Sequence, residues 1–298
     1  MAEINTVGVV GGGLMGHGIA QVSAQSGCEV VLREVDEPTL GKAIGLIEKQ
    51  LARAVEKGRS SQQDADAVRG RIDGSVDYGA LADCDLVIEA ATEDLEGKLA
   101  MWREVDGIVK AGAIFATNTS SLPVIAQAAA TKRPDRFLGL HFFNPAQVMK
   151  LLEVVRCVTT SAETVATGVE WGHKLGKVTV VTQDNAGFIV NRLLVPYLLD
   201  GMRAYEENVG TIAEIDNAMK AGAGHPMGPL TLSDFVGLDT LSAISDIMFE
   251  EFREKRFARP PLLRKMLMAG WYGRKSGMGF YDYSGDTPVP NAQISLPA

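Results

Sequence analysis

The sequence predicts an α/β fold: a mainly parallel sheet with an inserted helical hairpin, followed by an all-α C-terminal domain. Three observations predict it. Short β-rich runs alternate with helical stretches through the first half of the chain, as βαβ units around a parallel sheet require. A charged stretch of helical periodicity interrupts that alternation. After Asp184 the strand pattern stops and apolar residues recur at helical spacing.

The strand runs are Thr6–Val10, Glu29–Arg33, Leu86–Glu89, Ile114–Thr117, Phe137–Phe142, Leu152–Arg156 and Val178–Thr182. The interruption runs from Pro38 to about Gly74. There Leu40, Ala43, Ile44, Ile47, Leu51 and Val55 follow a helical period. Gly58 stops that helix, and Ser60, Ser61 and Asp64 open a second. The pair is read as a helical hairpin inserted in the sheet domain at about 38–74. Asn185-Ala186-Gly187 marks the junction, giving domains 1–185 and 186–298. In the second domain Gly222–Pro229 is a turn between helices, and Gly270–Tyr283 is irregular and rich in glycine and aromatic residues. The tail with Pro288 and Pro290 is expected to be loose.

The 298 residues are 46% apolar and 22% charged, enough to bury two domain cores. Net charge is -8 with no block of Lys or Arg, which argues against a nucleic-acid partner because that needs a basic face. No apolar run approaches the roughly 20 residues that span a bilayer, and no basic segment precedes an apolar run at the N-terminus. Cys28, Cys84 and Cys157 are isolated and have no metal-ligand spacing. They read as reduced, buried thiols of a cytoplasmic protein.

Gly11-Gly12-Gly13-Leu14-Met15-Gly16 contains the G-x-G-x-x-G spacing between the first strand and a helix reaching about Ser26. Gly11 permits the tight turn, Gly13 lets the backbone approach a pyrophosphate, and Gly16 lets helix and strand pack closely. The helix start presents free N–H groups and a positive partial charge to phosphate. Glycines alone are a weak signal, but the flanking strand and helix strengthen it. So does Glu34, which ends the second strand 23 residues past Gly11. A carboxylate there accepts ribose hydroxyls and repels a 2′-phosphate, favouring NAD over NADP. Arg33 beside it should point to the other face. Together these features predict a Rossmann-type dinucleotide domain.

His141 ends the run Arg136–Phe143, Asn144-Pro145-Ala146-Gln147 breaks the chain, and Lys150–Arg156 is β-rich again. If the two strands pair antiparallel about Gln147, His141 and Glu153, each six residues away, stand opposite. Opposed residues share a face, with Cβ atoms about 4.5–5.5 Å apart. A carboxylate there holds one imidazole nitrogen and stabilises the imidazolium, which suits a base removing a hydroxyl proton. A lone histidine is as often structural; the dinucleotide fingerprint tips the balance toward catalysis. His17, His173 and His225 have weaker cases, and for His17 a cofactor phosphate and simple packing are both open.

These residues also carry a resemblance. The chain resembles the 3-hydroxyacyl-CoA dehydrogenase family, and more closely its short, single-function 3-hydroxybutyryl-CoA members. The matching segments occur in family order across nearly the whole chain. They are Gly11–Gly16, Asn118-Thr-Ser-Ser121-Leu, His141-Phe-Phe-Asn-Pro145, Gly187-Phe-Ile-Val-Asn191-Arg, Pro226-Met-Gly-Pro229, Gly237-Leu-Asp239, and Gly273-Arg-Lys-Ser-Gly277 with Gly279-Phe-Tyr281. The resemblance implies NAD-dependent oxidation of a (3S)-3-hydroxyacyl-CoA in fatty acid metabolism. His141 would be the general acid/base and Glu153 its orienting partner. Ser120 would bind the reacting oxygen or the nicotinamide side, and Asn191 would reach the substrate from the helical domain. The loop residues Gly11, Gly13, Leu14, Met15 and Gly16 would hold the cofactor with Glu34, Glu93, Lys98, Asn118, Ser120, Asn144 and Lys275. Plainer roles stand beside these: Ser120 as a helix N-cap, Asn191 on an exposed turn, Lys98 as a solvated charge.

The resemblance further implies that the helical hairpin contacts coenzyme A, Lys57 matching a ligand position. Lys49, Arg53 and Lys57, four apart, form a basic stripe that suits phosphates, although a solvated face explains Lys49 and Arg53 as well. It also implies a homodimer through the C-terminal domain, where Leu193, Leu194, Leu198 and Met202 form an apolar face. Two positions depart from the family: Glu34, where Asp is usual, and Met101-Trp102, where smaller or aliphatic residues are. The rival readings are a sugar-acid dehydrogenase of gulonate type on the same fold and a non-catalytic, crystallin-like NAD-binding protein. The basic hairpin favours the thioester over the first. The intact Ser120, His141, Glu153 and Asn191 set argues against the second.

Overall fold

A computed structural model describes residues 3–294. The chain separates into two compact units, one ending at Phe188 and the other beginning at Ile189. In the first, β1 (Thr6–Val10), α1 (Gly16–Gln25) and β2 (Glu29–Arg33) are followed by α2 (Glu37–Glu56), α3 (Gln62–Gly70) and β3 (Ile72–Ser75). Then come β4 (Leu86–Glu89), α4 (Leu95–Asp106), β5 (Ile114–Thr117), α5 (Val124–Ala128), β6 (Phe137–Phe142), β7 (Leu151–Arg156), α6 (Ala162–Lys174) and β8 (Val178–Gln183). Eight strands form one sheet in the order β3-β2-β1-β4-β5-β6-β7-β8. All neighbours pair parallel except β6 with β7. The order reverses at β1, so the crevice beyond the ends of β1 and β4 is the topological switch point where such sheets bind ligands.

Side chains alternate between two cores. Val9, Leu86 and Ile88 pack with α1, α2, α3 and α6, while Val10, Val87 and Phe115 pack with α4 and α5. Trp102 gains a role here: fully buried, it stacks on Phe115 at 5.0 Å, meets Phe137 edge-on at 4.9 Å, and donates Nε1–H to Gln127 Oε1 at 3.0 Å. It fills the α4 side of the core.

The helical hairpin forms, but not as an insertion ending near Gly74. Asp36 caps α2 by accepting the Thr39 N–H at 2.7 Å, and Ser61 caps α3 by accepting that of Asp64 at 3.0 Å. Gly58 takes a left-handed φ of 63° just past α2. The hairpin is the crossover between β2 and β3, and its last residues, Ile72–Ser75, are the edge strand. Only Ile72 of that strand is buried, so no apolar run announces it.

The second unit contains α7 (Val190–Glu206), α8 (Ile212–Ala223), α9 (Pro229–Val236), α10 (Leu238–Phe252) and α11 (Pro261–Met268). It also holds a two-stranded ribbon absent from the sequence reading, β9 (Tyr281–Asp282) with β10 (Val289–Pro290). The tail is therefore tied down at least to Asn291, which is buried and donates Nδ2–H to the Gly279 carbonyl at 2.8 Å. Two buried carboxylates anchor this unit. Asp216 accepts the N–H groups of Leu230 and Thr231, and Asp234 those of Phe280 and Tyr281. The apolar face expected on α7 is divided: Leu198 and Met202 belong to the buried core, while Leu193 is 70% exposed. No helix among the described residues is long and apolar enough to cross a membrane.

Candidate active site

The glycine loop lies at the switch point. Gly11 has φ 94°, and its N–H donates to the Arg33 carbonyl at 2.9 Å. A Cβ on Gly16 would fall 1.6 Å from the Gly11 oxygen, so only glycine lets α1 begin there. Beside Gly13, by contrast, a Cβ would meet nothing within 4 Å. Among the described residues the backbone N–H groups of Gly13, Leu14 and Met15 have no hydrogen-bond acceptor. An open cradle with unpaired donors at a helix start fits a dinucleotide pyrophosphate.

Glu34 leans toward this loop. It is buried, accepting the Gly12 N–H at 2.6 Å on Oε1 and the Val35 N–H at 2.9 Å on Oε2. A carboxylate has about four lone-pair sites, so acceptor capacity remains for ribose hydroxyls. Arg33 points the other way, its guanidinium lying 3.6 Å from the centroid of the Tyr78 ring.

Beyond β4 and β5 lies a charged network that the sequence reading assembled only in part. Glu89 pairs in register with Val10 and Thr117 and is fully buried. It accepts the Ala91 N–H at 2.7 Å and the Thr117 hydroxyl at 2.7 Å, and pairs with Lys98 at 2.9 Å. Lys98 is not a solvated charge: its side chain is 3% exposed and also reaches Glu93 at 2.8 Å. Glu93 accepts the Thr119 hydroxyl at 2.8 Å and the Ser120 N–H at 2.9 Å. Burial pushes the Glu93 carboxyl up, but the Lys98 charge and these hydrogen bonds outweigh it and hold the group below its ordinary range. Lys98 thus acts on this crevice through Glu93. Ser120 is no helix cap, since α5 starts at Val124 behind Pro123. Its hydroxyl lies 3.4 Å from Glu93. Glu89 escaped the sequence reading, although a carboxylate ending the apolar run Leu86-Val-Ile was a signal for it.

The β6–β7 pairing places His141 opposite Glu153, as the symmetry about Gln147 requires. Nδ1 lies 2.7 Å from Glu153 Oε2, with both residues buried. A carboxylate can only accept, so Nδ1 carries the proton and Nε2 is left as the basic nitrogen. No hydrogen bond to Nε2 is found among the described residues. Phe143 and Phe188 pack against the imidazole at ring-centroid distances of 4.6 and 5.3 Å. Neither ring was anticipated. Asn118 accepts the Phe142 N–H at 2.9 Å, tying the ends of β5 and β6 together. Asn144 is exposed on the turn that follows.

Lys49, Arg53 and Lys57 are all exposed on α2 and its C-cap. In the second unit Asn191 is half-buried at the start of α7, and Lys275 pairs with Asp239 at 2.6 Å.

Residues 6–185 match the 3-hydroxyacyl-CoA dehydrogenase NAD binding domain, and residues 187–283 match the C-terminal domain of the same family. A 3-hydroxybutyryl-CoA dehydrogenase of Mycobacterium tuberculosis is 48% identical over 94% of this chain and 99% of its own. One from Bradyrhizobium diazoefficiens is 44% identical over 97% and 99%. The crystal structure of an (S)-3-hydroxybutyryl-CoA dehydrogenase from Ralstonia eutropha superposes with a TM-score of 0.92 at 40% identity, covering 95% of this chain and all of that one.

Proposed function

The chain belongs to the 3-hydroxyacyl-CoA dehydrogenase family, and we propose that it interconverts (3S)-3-hydroxybutyryl-CoA and acetoacetyl-CoA with NAD as the redox partner. The buried His141–Glu153 pair carries this reading: a base with one nitrogen fixed and the other available, on the sheet that carries an open glycine cradle.

Bound at the glycine loop, NAD⁺ supplies the hydride acceptor. His141 Nε2 takes the proton of the 3-hydroxyl as the C3–H hydride leaves. Glu153 stabilises the imidazolium that forms and keeps the ring from turning. In the reverse direction the same nitrogen protonates the 3-oxo oxygen. Ser120, held through its N–H by Glu93, donates its hydroxyl to the reacting oxygen. Glu34 takes the adenosine ribose, while Asn118, Asn144 and Lys275 assist cofactor binding. Asn191 contacts the substrate, and Lys57 takes a coenzyme A phosphate. The three buried free thiols suit a reducing, cytoplasmic setting. The assembly is a homodimer through the second unit; sedimentation of the purified protein reads the dimer, and a monomer at assay concentration overturns it.

The test follows NADH absorbance with acetoacetyl-CoA, beside free acetoacetate and NADPH. Turnover with the thioester and NADH, and little with either control, is the expected result. Bound NADH without turnover of the thioester would overturn the acyl-CoA reading.

A further inference from the structure

The first unit contains a side-chain chain that the reaction does not use. His17 Nδ1 lies 2.6 Å from the Gly13 carbonyl, His17 Nε2 lies 2.9 Å from Gln50 Nε2, and Gln147 Nε2 donates to Gln50 Oε1 at 2.5 Å. The Gly13 carbonyl can only accept, so a neutral His17 carries its proton on Nδ1. Its Nε2 then accepts from the Gln50 amide, whose oxygen accepts from Gln147. One acceptor thereby sets the direction of all three bonds. His17 itself is 7% exposed.

Each link belongs to a different segment around the cradle. Gly13 is the open point of the glycine loop. Gln50 is half-buried on α2. Gln147 is in the turn between β6 and β7, which begins at Asn144. That turn is pressed against α1: a Cβ on Gly18 would come within 2.6 Å of Gln147 Oε1. From its other side Lys177 Nζ donates to the carbonyls of Ala146 and Met149 at 2.5 and 2.7 Å. The turn is thus fixed independently, and the chain of amides transmits its position to the Gly13 carbonyl. Gln147 Oε1 is buried and has no partner among the described residues, an expense that packing alone does not require.

We propose that His17, Gln50 and Gln147 act as one clamp on the glycine loop, which makes His17 a positioning residue for NAD(H). The proposal rests on the dehydrogenase reading above. The clamp keeps the Gly13 carbonyl turned inward to the imidazole, so that the following N–H groups of Leu14 and Met15 face the pyrophosphate. Without it the Gly13 carbonyl keeps only the long 3.5 Å bond from the His17 backbone N–H, and the cofactor must complete the ordering of the loop, at a cost in affinity.

The test is NADH affinity by fluorescence titration in His17→Ala, Gln50→Leu, Gln147→Leu and the His17→Ala/Gln147→Leu double variant. Each single change should weaken NADH about fivefold to tenfold, the worth of one buried hydrogen bond. The double variant should be no weaker than the worse single one, because links of one chain do not add. The loss should be in NADH Kd, with kcat at saturating NADH and KM for acetoacetyl-CoA changed less than about twofold. Unchanged Kd in the Gln50 and Gln147 variants, additive losses, or a fall in kcat alone would each overturn the clamp. Failure of the unsubstituted protein to bind NADH would instead overturn the dehydrogenase reading on which it rests.

Discussion

At His141 the proposed chemistry depends on one hydrogen bond. Glu153 occupies Nδ1, so the proton needed for the reaction can be handled only at Nε2. Replacing His141 by Gln removes the proposed base but leaves the glycine loop and Glu34 untouched. kcat should fall about a thousandfold, and NADH Kd should stay within about twofold of the unsubstituted value. A comparable loss of NADH binding would show that the substitution disturbs the fold rather than the proton transfer. This pair was legible in the sequence because a hairpin obeys simple symmetry: two positions equidistant from the turn must face each other. Lys98 was not legible in the same way. A lysine four residues into a helix reads as solvated, and Glu89 at the end of β4 together with Glu93 makes it a buried bridge. Sequence spacing carries neighbours along an element, and Glu89 and Lys98 meet only once the sheet has formed.

The elements show the same division. Strands with continuous apolar runs fell at or within a residue of their expected positions, because the buried parallel sheet demands such runs. β3 escaped because Ile72-Asp-Gly-Ser contributes one buried side chain at the sheet edge. Its place is set instead by the α2–α3 crossover and by Leu40, which packs where Gly74 has no Cβ. The same crossover carries the exposed Lys49, Arg53 and Lys57, and its function can be tested as an element. Lys57→Ala should raise KM for acetoacetyl-CoA about fivefold, the scale of one partly exposed charged contact. KM for the pantetheine thioester, which lacks the nucleotide phosphates, should not change. An equal rise for both thioesters would remove α2 and its cap from coenzyme A recognition.

The whole molecule adds a constraint that neither residues nor elements reveal singly. In the second unit Asp216 and Asp234, far apart in sequence from the backbone they bind, anchor the first turn of α9 at Leu230 and Thr231 and the Phe280–Tyr281 segment. Such contacts are invisible to periodicity, as are the β9–β10 pairing and the Asn291 hydrogen bond that hold the tail read as loose. They also give the protein a particular pH dependence. Burial pushes the Asp234 carboxyl up to about 6, against three hydrogen bonds that act to lower it. A carboxyl raised on folding binds its proton more tightly in the folded chain, so its contribution to stability is fullest below the unfolded value near 4. That contribution declines as pH rises through about 6. At 1% exposure little solvent screens the effect, and the shift corresponds to about 3 kcal/mol between the two limits. Glu93 has the opposite sign, because its carboxyl is held low and its contribution is lost as pH falls. The stability curve of the intact protein therefore sums opposing slopes, and only a difference curve isolates Asp234. Asp234→Asn should lower stability at every pH, since the Phe280 and Tyr281 N–H groups bind separate carboxylate oxygens and one of them would face the amide NH2 donor instead. The informative quantity is the change with pH. Subtracting the variant's denaturation free energies from those of the unsubstituted protein should leave a difference that shrinks by about 2 kcal/mol from pH 4 to 7. A difference that is flat, or that grows with pH, would mean that Asp234 is held ionised by its backbone donors and that burial is not the dominant influence on it.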